Sequence, residues 1–209
     1  EINLFAERMR RMFGMLNTLL HETNENDFNK LFSRIEKYEN ISDNMELEIA
    51  NYLNKVSEGR LSSESKLEIR GMLREVTEIE SIGDSCYNLA RTINRKRSGG
   101  NDFTEKQYEH IHQMMQLTSD ALAHMIAVVE DEHHVVDVNK SFNIENEINN
   151  YRAQLKNQNV VDVNNKEYDY QMGVHYMDII GECEKLGDYV VNVVEARTNV
   201  KEKKTGDNR

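Results

Sequence analysis

The sequence contains no proline and no tryptophan, and only 10 of its 209 residues are glycine. Proline and glycine are the residues that most often interrupt helices, so their scarcity permits long, continuous helices. No stretch reaches the roughly 18–20 consecutive apolar residues that a transmembrane helix needs, and no signal peptide is visible. The composition therefore favours a protein built from long, partly solvated helices.

Long runs of basic residues are also absent. The formal net charge is −11, and no run of Lys or Arg is long enough to follow a phosphate backbone, so we expect no nucleic-acid partner. The acidic balance suits divalent cations or basic protein surfaces. The two cysteines, Cys86 and Cys183, share no motif. Buried, reduced thiols in a cytoplasmic protein are the simplest interpretation.

Apolar residues recur at alternating steps of three and four, the spacing that places them on one face of an α-helix. This pattern predicts six helices, over about 2–23, 27–57, 63–96, 104–130, 135–157 and 167–198. The clearest break is at Gly99-Gly100, and the polar segment 158–166 is predicted to be a loop. The predicted fold is all-α: two tandem three-helix bundles related as a pseudo-twofold repeat, over residues 1–97 and 103–198, with a disordered polar tail over 199–209.

One short pattern occurs twice, about half a chain apart. Residues 80–84 read Glu-Ser-Ile-Gly-Asp and residues 184–188 read Glu-Lys-Leu-Gly-Asp, which indicates a duplicated helical unit. Because residues i and i+4 lie on one face of a helix, each copy presents two carboxylates one turn apart. A glycine inside a helix costs about 1 kcal/mol relative to alanine. Gly83 and Gly187 are therefore expected where another helix, or a ligand, approaches closely.

The second helix of each half carries a matching polar segment. Glu39 and Asp43 have this spacing in the first half, and Glu145 and Asn149 have it in the second, where an amide replaces one acid. Antiparallel packing should bring each segment opposite the acidic pair of its third helix. Converging carboxylates repel unless a cation lies among them, and oxygen ligands suit hard or borderline cations. The candidate metal ligands are Glu39, Asp43, Glu80, Asp84, Glu145, Asn149, Glu184 and Asp188.

The alternative is that these acidic pairs are ordinary solvated helix faces without an ion. The presence of Asn149 predicts weaker metal binding in the second half than in the first. The histidines show no Glu-x-x-His pattern of the kind that holds a di-iron centre, which argues against a ferritin-like oxidase. They include His21, His110, His112, His124 and His175.

When extended to Asn88 and Asn192, the two acidic phrases resemble the Glu-Arg-Ile-Gly-Asp-x-x-x-Asn phrase that ends each repeat of PhoU proteins. The resemblance spans about residues 5–195, and Ser81 and Lys185 stand where the family usually has Arg. It implies two three-helix bundles and, as in some family members, multinuclear metal sites holding Fe, Mn, Mg, Ca or Zn. It also implies a regulatory, non-enzymatic role in phosphate uptake, with a transmembrane phosphate transporter as partner. A second copy of this chain, in a homo-oligomer, is the other partner that we consider.

Two kinds of protein carry this unit. One is a free-standing regulator that restrains the phosphate ABC transporter and its sensor kinase. The other is a cytoplasmic domain of sodium-dependent phosphate symporters. The chain begins with Glu, and its opening segment, Glu7–Met12, looks like the continuation of an upstream chain. We therefore expect the symporter domain, attached to the membrane through an upstream segment. The competing classes are a carboxylate-bridged metalloenzyme, for which no general base is visible, and an inert helical spacer or dimerisation unit.

Overall fold

A computed structural model describes residues 1–131 and 135–206, with side chains up to residue 198 in the last helix. This part of the chain contains six α-helices and no strand. The helices are α1 (Ile2–His21), α2 (Glu25–Ser57), α3 (Ser63–Ser98), α4 (Glu105–Glu130), α5 (Asn139–Asn164) and α6 (Tyr170–Gly206). The predicted all-α class and the two tandem three-helix bundles are confirmed.

Polar side chains fix where three of the helices begin. Asn24 accepts hydrogen bonds from the first backbone amides of α2, and Ser62 does the same for α3. Thr104 and Gln107 form a reciprocal capping box at the start of α4. Such caps satisfy amides that have no partner inside the helix, and each stabilises by about 1 kcal/mol.

The connection between the bundles is held by a buried lysine. Gly100 adopts a positive φ of 76° just after α3, a conformation that glycine reaches without steric cost. Lys96, near the end of α3, bonds to Asp102 and to the Tyr108 hydroxyl, and its amine lies 4.8 Å from the centroid of the Phe103 ring. The predicted break is therefore a short, fixed turn and not a flexible linker.

The prediction of a loop over residues 158–166 is wrong, because α5 continues to Asn164. The apolar pattern fades in this segment, but tertiary contacts replace it. Asp162 is buried, accepts a hydrogen bond from Gln158 (2.7 Å) and lies 3.5 Å from the amine of Lys106 on α4. A polar residue that finds partners in the fold can be buried without breaking the helix. Lys166, with a φ of 61°, follows the end of the helix.

The two bundles share one apolar core. Among the described helices they meet along α3 and α6, which form the most extensive contact, and along α1 and α4. Residue numbers rise along α3 as they fall along α6, so these two helices are antiparallel. Three polar contacts mark this register: Arg74 with Glu195 (3.2 Å), Glu78 with Asn192 (3.0 Å) and Arg95 with Asp178 (3.7 Å).

The backbone of α6 extends to Gly206 and so includes part of the segment predicted to be a disordered tail, whereas residues 207–209 lie outside the described residues. Over the described ranges, no helix combines the length and the apolar character that crossing a membrane requires.

Helices α1, α2 and α3 pack closely together at Gly83. A Cβ at this position would lie 2.9 Å from the Ser42 hydroxyl oxygen on α2 and 3.0 Å from the Met9 sulfur on α1. At Gly187 on α6, a Cβ would lie 3.2 Å from the Ile148 side chain on α5. Side chains of the neighbouring helices thus occupy the space that a larger residue would need at either glycine.

We expect Gly83→Ala and Gly181→Ala to have different effects on stability. Both changes remove a helical glycine, which by itself raises the free energy of unfolding by about 1 kcal/mol. No atom of another group lies within 4 Å of a Cβ at Gly181, so that variant should show the full gain. Gly83→Ala must displace Ser42 and Met9, and such overpacking costs about 1–3 kcal/mol. The free energy of unfolding of this variant should therefore be unchanged or lower. Urea unfolding measures both, and equal gains would contradict the close packing at Gly83.

Candidate metal centre

The first acidic cluster lies beside the close contact of α2 and α3 at Gly83. Ser42 is buried against Gly83, and acidic residues stand beside this contact on both helices. One ligand oxygen from each of Glu39, Asp43 and Asp84 lies within 4.8 Å of the other two. Over the described residues, these three form the one group of His, Cys, Asp and Glu side chains whose ligand atoms converge in this way. The close approach at Gly83 thus brings carboxylates of two helices together.

Glu80 is not one of the three convergent ligands but belongs to the same cluster. When one of the two carboxyl groups is protonated, Glu80 forms a hydrogen bond with Asp84, one turn away on α3. Partial burial, followed by repulsion from Asp84, Glu46 and Asp43, raises the pKa of Glu80 to about 7. Burial and neighbouring carboxylates also raise the pKa values of Glu39 and Asp84. Without a cation, the cluster therefore relieves its repulsion by retaining a proton near neutral pH.

Glu46 is a member of the cluster that the sequence analysis missed. It accepts a hydrogen bond from the Thr77 hydroxyl on α3 (3.0 Å) and contributes to the raised pKa values of Glu80 and Asp84. Its position three residues after Asp43 places it on the same helix face, one turn further along. The repeated acidic phrase has no counterpart of Glu46, but the i+3 spacing could have identified it.

The second cluster is partly neutralised by the protein itself. Asn149 on α5 donates a hydrogen bond to Glu145 in the preceding turn. Arg152, one turn further along α5, lies 3.3 Å from Glu184 on α6. Burial raises the pKa values of Glu184 and Asp188, while the Arg152 guanidinium opposes that rise in both. A side-chain cation thus already faces the carboxylates in the second bundle.

The sequence analysis also missed Arg152. All four predicted residues of the second half lie on the facing helices α5 and α6: Glu145, Asn149, Glu184 and Asp188. No three His, Cys, Asp or Glu side chains converge there within the described structure. The i+3 spacing from Asn149 to Arg152 was the available signal. The two clusters therefore differ in chemistry even though the sequence phrases that mark them are alike.

The first cluster has the donor set of a site for a hard cation. Three carboxylates from two helices supply several oxygen atoms and no nitrogen or sulfur, which suits Mg²⁺, Ca²⁺, Mn²⁺ or iron. A cation placed among them would offset the repulsion that, together with burial, raises the pKa values of Glu39 and Asp84. The fit is poorer in the second cluster, where Arg152 would repel an incoming cation.

Comparison with known proteins identifies similar folds. A family model described as the PhoU domain matches residues 2–93 and 111–196. The crystal structure of PhoU from Pseudomonas aeruginosa superposes with a TM-score of 0.85 at 11% identity, covering 97% of this chain and 94% of that chain. The crystal structure of the phosphate transport system regulatory protein PhoU from Streptococcus pneumoniae gives a TM-score of 0.69 at 16% identity, covering 96% of this chain and 97% of that chain. Comparison with curated protein sequences gave no match.

The raised pKa of Glu80 predicts a pH dependence of stability in the chelator-treated protein. Between the ordinary glutamate value of about 4.5 and the folded value of about 7, the folded state binds more protons at Glu80 than the unfolded state does. The free energy of unfolding should therefore fall as the pH rises through this window. Glu80→Gln should flatten the slope. Glu147→Gln, the same change at an exposed position on α5, should leave it unchanged. Urea unfolding at several pH values measures this, and identical slopes for all three proteins would rule out the assignment.

Proposed function

The chain belongs to the PhoU domain family, and from that premise we propose that it regulates phosphate uptake through a divalent cation bound between α2 and α3. The observation that carries this proposal is the convergence of Glu39, Asp43 and Asp84 at the Gly83 contact. The second cluster is proposed to have a structural role, because Arg152 already supplies its positive charge. This pattern supports one regulatory metal centre in a molecule with two repeats.

The position of α2 supports a conformational mechanism. Among the described helices, α2 contacts α1 and α3 only, so it can shift without disturbing the contact of α3 with α6. A cation ligated from both α2 and α3 would favour the arrangement in which the two helices are close. It biases the protein only if it binds that arrangement more tightly than the alternative. The role proposed is regulatory and not catalytic, because the effect of the ion falls on helix packing.

The outer surface of α2 is suited to passing this change to a partner. Leu47 and Tyr52 are 59% and 68% exposed on this helix, and both lie beyond the acidic cluster towards its C-terminal end. Exposed apolar side chains on a helix that can shift supply a contact whose position depends on the ion. We propose that a transmembrane phosphate transporter is the partner that receives it, at the cytoplasmic face of the membrane.

Two arrangements are compatible with this proposal. In one, the chain is a separate subunit acting on a phosphate transport system, in keeping with the description of the streptococcal protein. In the other, it is a domain of a sodium-dependent phosphate symporter. The metal centre and the role of α2 are the same in both arrangements. The two arrangements differ only in how the chain is connected to the transporter.

Metal binding should stabilise the protein through the first cluster. A cation present at 100 times its dissociation constant raises the free energy of unfolding by about 2.7 kcal/mol. We expect Mn²⁺ or Mg²⁺ to raise the melting temperature of the chelator-stripped protein and Asp43→Asn/Asp84→Asn to abolish that rise. The matched control is Glu145→Gln/Asp188→Asn in the second cluster, which should respond as the unaltered protein does. If none of the four ions Mn²⁺, Mg²⁺, Ca²⁺ and Fe²⁺ shifts the melting temperature, the cluster is a solvated acidic face.

The physiological role is tested by uptake of radiolabelled phosphate. Deleting the coding region for this chain, while keeping any transporter segment to which it is joined, should raise uptake at high external phosphate, because the proposed regulator restrains the transporter. The unaltered protein and the second-cluster control should restore the lower rate, and Asp43→Asn/Asp84→Asn should not, at equal protein levels. Repeating the assay without sodium separates the symporter arrangement from the other. Uptake that does not change on deletion would exclude the proposed role even if the protein binds metal.

A further inference from the structure

Two histidines from different bundles meet at one end of the molecule. His21 is the last residue of α1, and His112 lies in the second turn of α4. Their Nε2 atoms are 2.5 Å apart, and their ring centroids are 4.7 Å apart with the planes tilted by 34°. The coordinating nitrogens of both rings therefore point at the same place. Because α1 and α4 belong to different repeats, this contact spans the boundary between them.

The surroundings leave the His21 imidazole available as a ligand. His21 lines a cavity of about 470 Å³, together with Lys96, Asp102 and Tyr108. The Lys96 amine is already paired with Asp102 and the Tyr108 hydroxyl. Another cation at this cavity, Arg97, donates to the backbone carbonyl oxygens of residues 22 and 23.

The geometry points to a second metal site, and we propose that His21 and His112 bind a nitrogen-preferring divalent ion such as Zn²⁺, Ni²⁺ or Cu²⁺. Imidazole suits these ions, whereas Mg²⁺ and Ca²⁺ prefer oxygen ligands. Metal–nitrogen bonds of about 2.0–2.1 Å at a tetrahedral angle place two nitrogens roughly 3.3 Å apart. The two Nε2 atoms must therefore move apart by about 0.8 Å to bind one ion. Both side chains are exposed at their edges, so small rotamer changes provide this, and water completes the coordination.

This site is independent of the acidic cluster. Met9, which contacts Gly83 beside that cluster, lies twelve positions before His21 on α1, or about 18 Å at 1.5 Å per residue. The donor sets also differ, since one offers only carboxylate oxygen and the other only imidazole nitrogen. An ion held by His21 and His112 would tie α1 to α4 and so hold the two repeats together at this end.

The test uses zinc, with the acidic cluster removed as a competing site. In the chelator-stripped Asp43→Asn/Asp84→Asn protein, isothermal titration calorimetry should show one zinc site, and zinc should raise the melting temperature while magnesium does not. Adding His21→Gln/His112→Gln should weaken zinc binding at least tenfold and remove the rise. The matched control is His110→Gln, because His110 lies on the same helix but contacts Tyr176 instead (2.9 Å). This variant should keep both the zinc affinity and the zinc-dependent rise in melting temperature.

A spectroscopic measurement identifies the ligands directly. Copper(II) bound at one equivalent should show nitrogen hyperfine coupling in its electron paramagnetic resonance spectrum, and the coupling should disappear in His21→Gln/His112→Gln. Circular dichroism confirms that this variant is folded. Equal zinc affinity with and without the two histidines would overturn the proposal, as would an absence of zinc binding in the Asp43→Asn/Asp84→Asn protein. The pair would then be a hydrogen bond between two neutral imidazoles. Neither result bears on the acidic cluster, which is tested separately with Mn²⁺ and Mg²⁺.

Discussion

The rest of the structure depends on the antiparallel packing of α3 against α6. These helices supply the buried centre of both bundles, with Val76, Ile79, Ile82 and Leu89 on one and Ile179, Leu186, Val190 and Val193 on the other. Burying an aliphatic side chain of this size stabilises the fold by about 1.5–3 kcal/mol, so this contact makes the two repeats one cooperative core. The peripheral helices α2 and α5 each pack on one side of this pair. Both acidic clusters therefore lie at the junction of a central helix with a peripheral one.

That location creates an electrostatic conflict, because carboxylates at a helix junction are partly removed from water while they face one another. The two repeats resolve it differently. In the second, Arg152 and Asn149 supply a positive charge and a hydrogen-bond donor. In the first, no basic side chain forms an ion pair with Glu39, Asp43 or Asp84 among the described residues, and the pKa of Glu80 is raised to about 7. The conflict left in the first repeat is the physical basis for proposing a cation there.

The sequence predicted much of this arrangement, and the reasons can be traced to particular residues. The regular apolar spacing on α3 and α6 predicted where these two helices lie in the sequence. Residues at that spacing share one helix face, and that face packs into the core whatever the details of packing. The spacing was interrupted on α5, and there the prediction ended the helix too early, because Asp162 is buried by partners on α4 that are distant in sequence. The repeated phrase and the matching segment on the second helix of each half located four polar residues of each cluster on facing helices. They did not reveal Glu46 or Arg152, which lie outside both patterns.

Local regularities thus determined the helical class, the duplication and the residue types at each cluster, because periodicity and i+4 spacing are properties of the chain itself. Tertiary structure decided which carboxylates converge, since the approach of Ser42 to Gly83 sets how closely α2 and α3 meet. It also decided that Arg152 faces Glu184 and that His21 meets His112 across the repeat boundary. These contacts join residues far apart in sequence, and their distances depend on how whole helices pack. No spacing within a single helix contains that information.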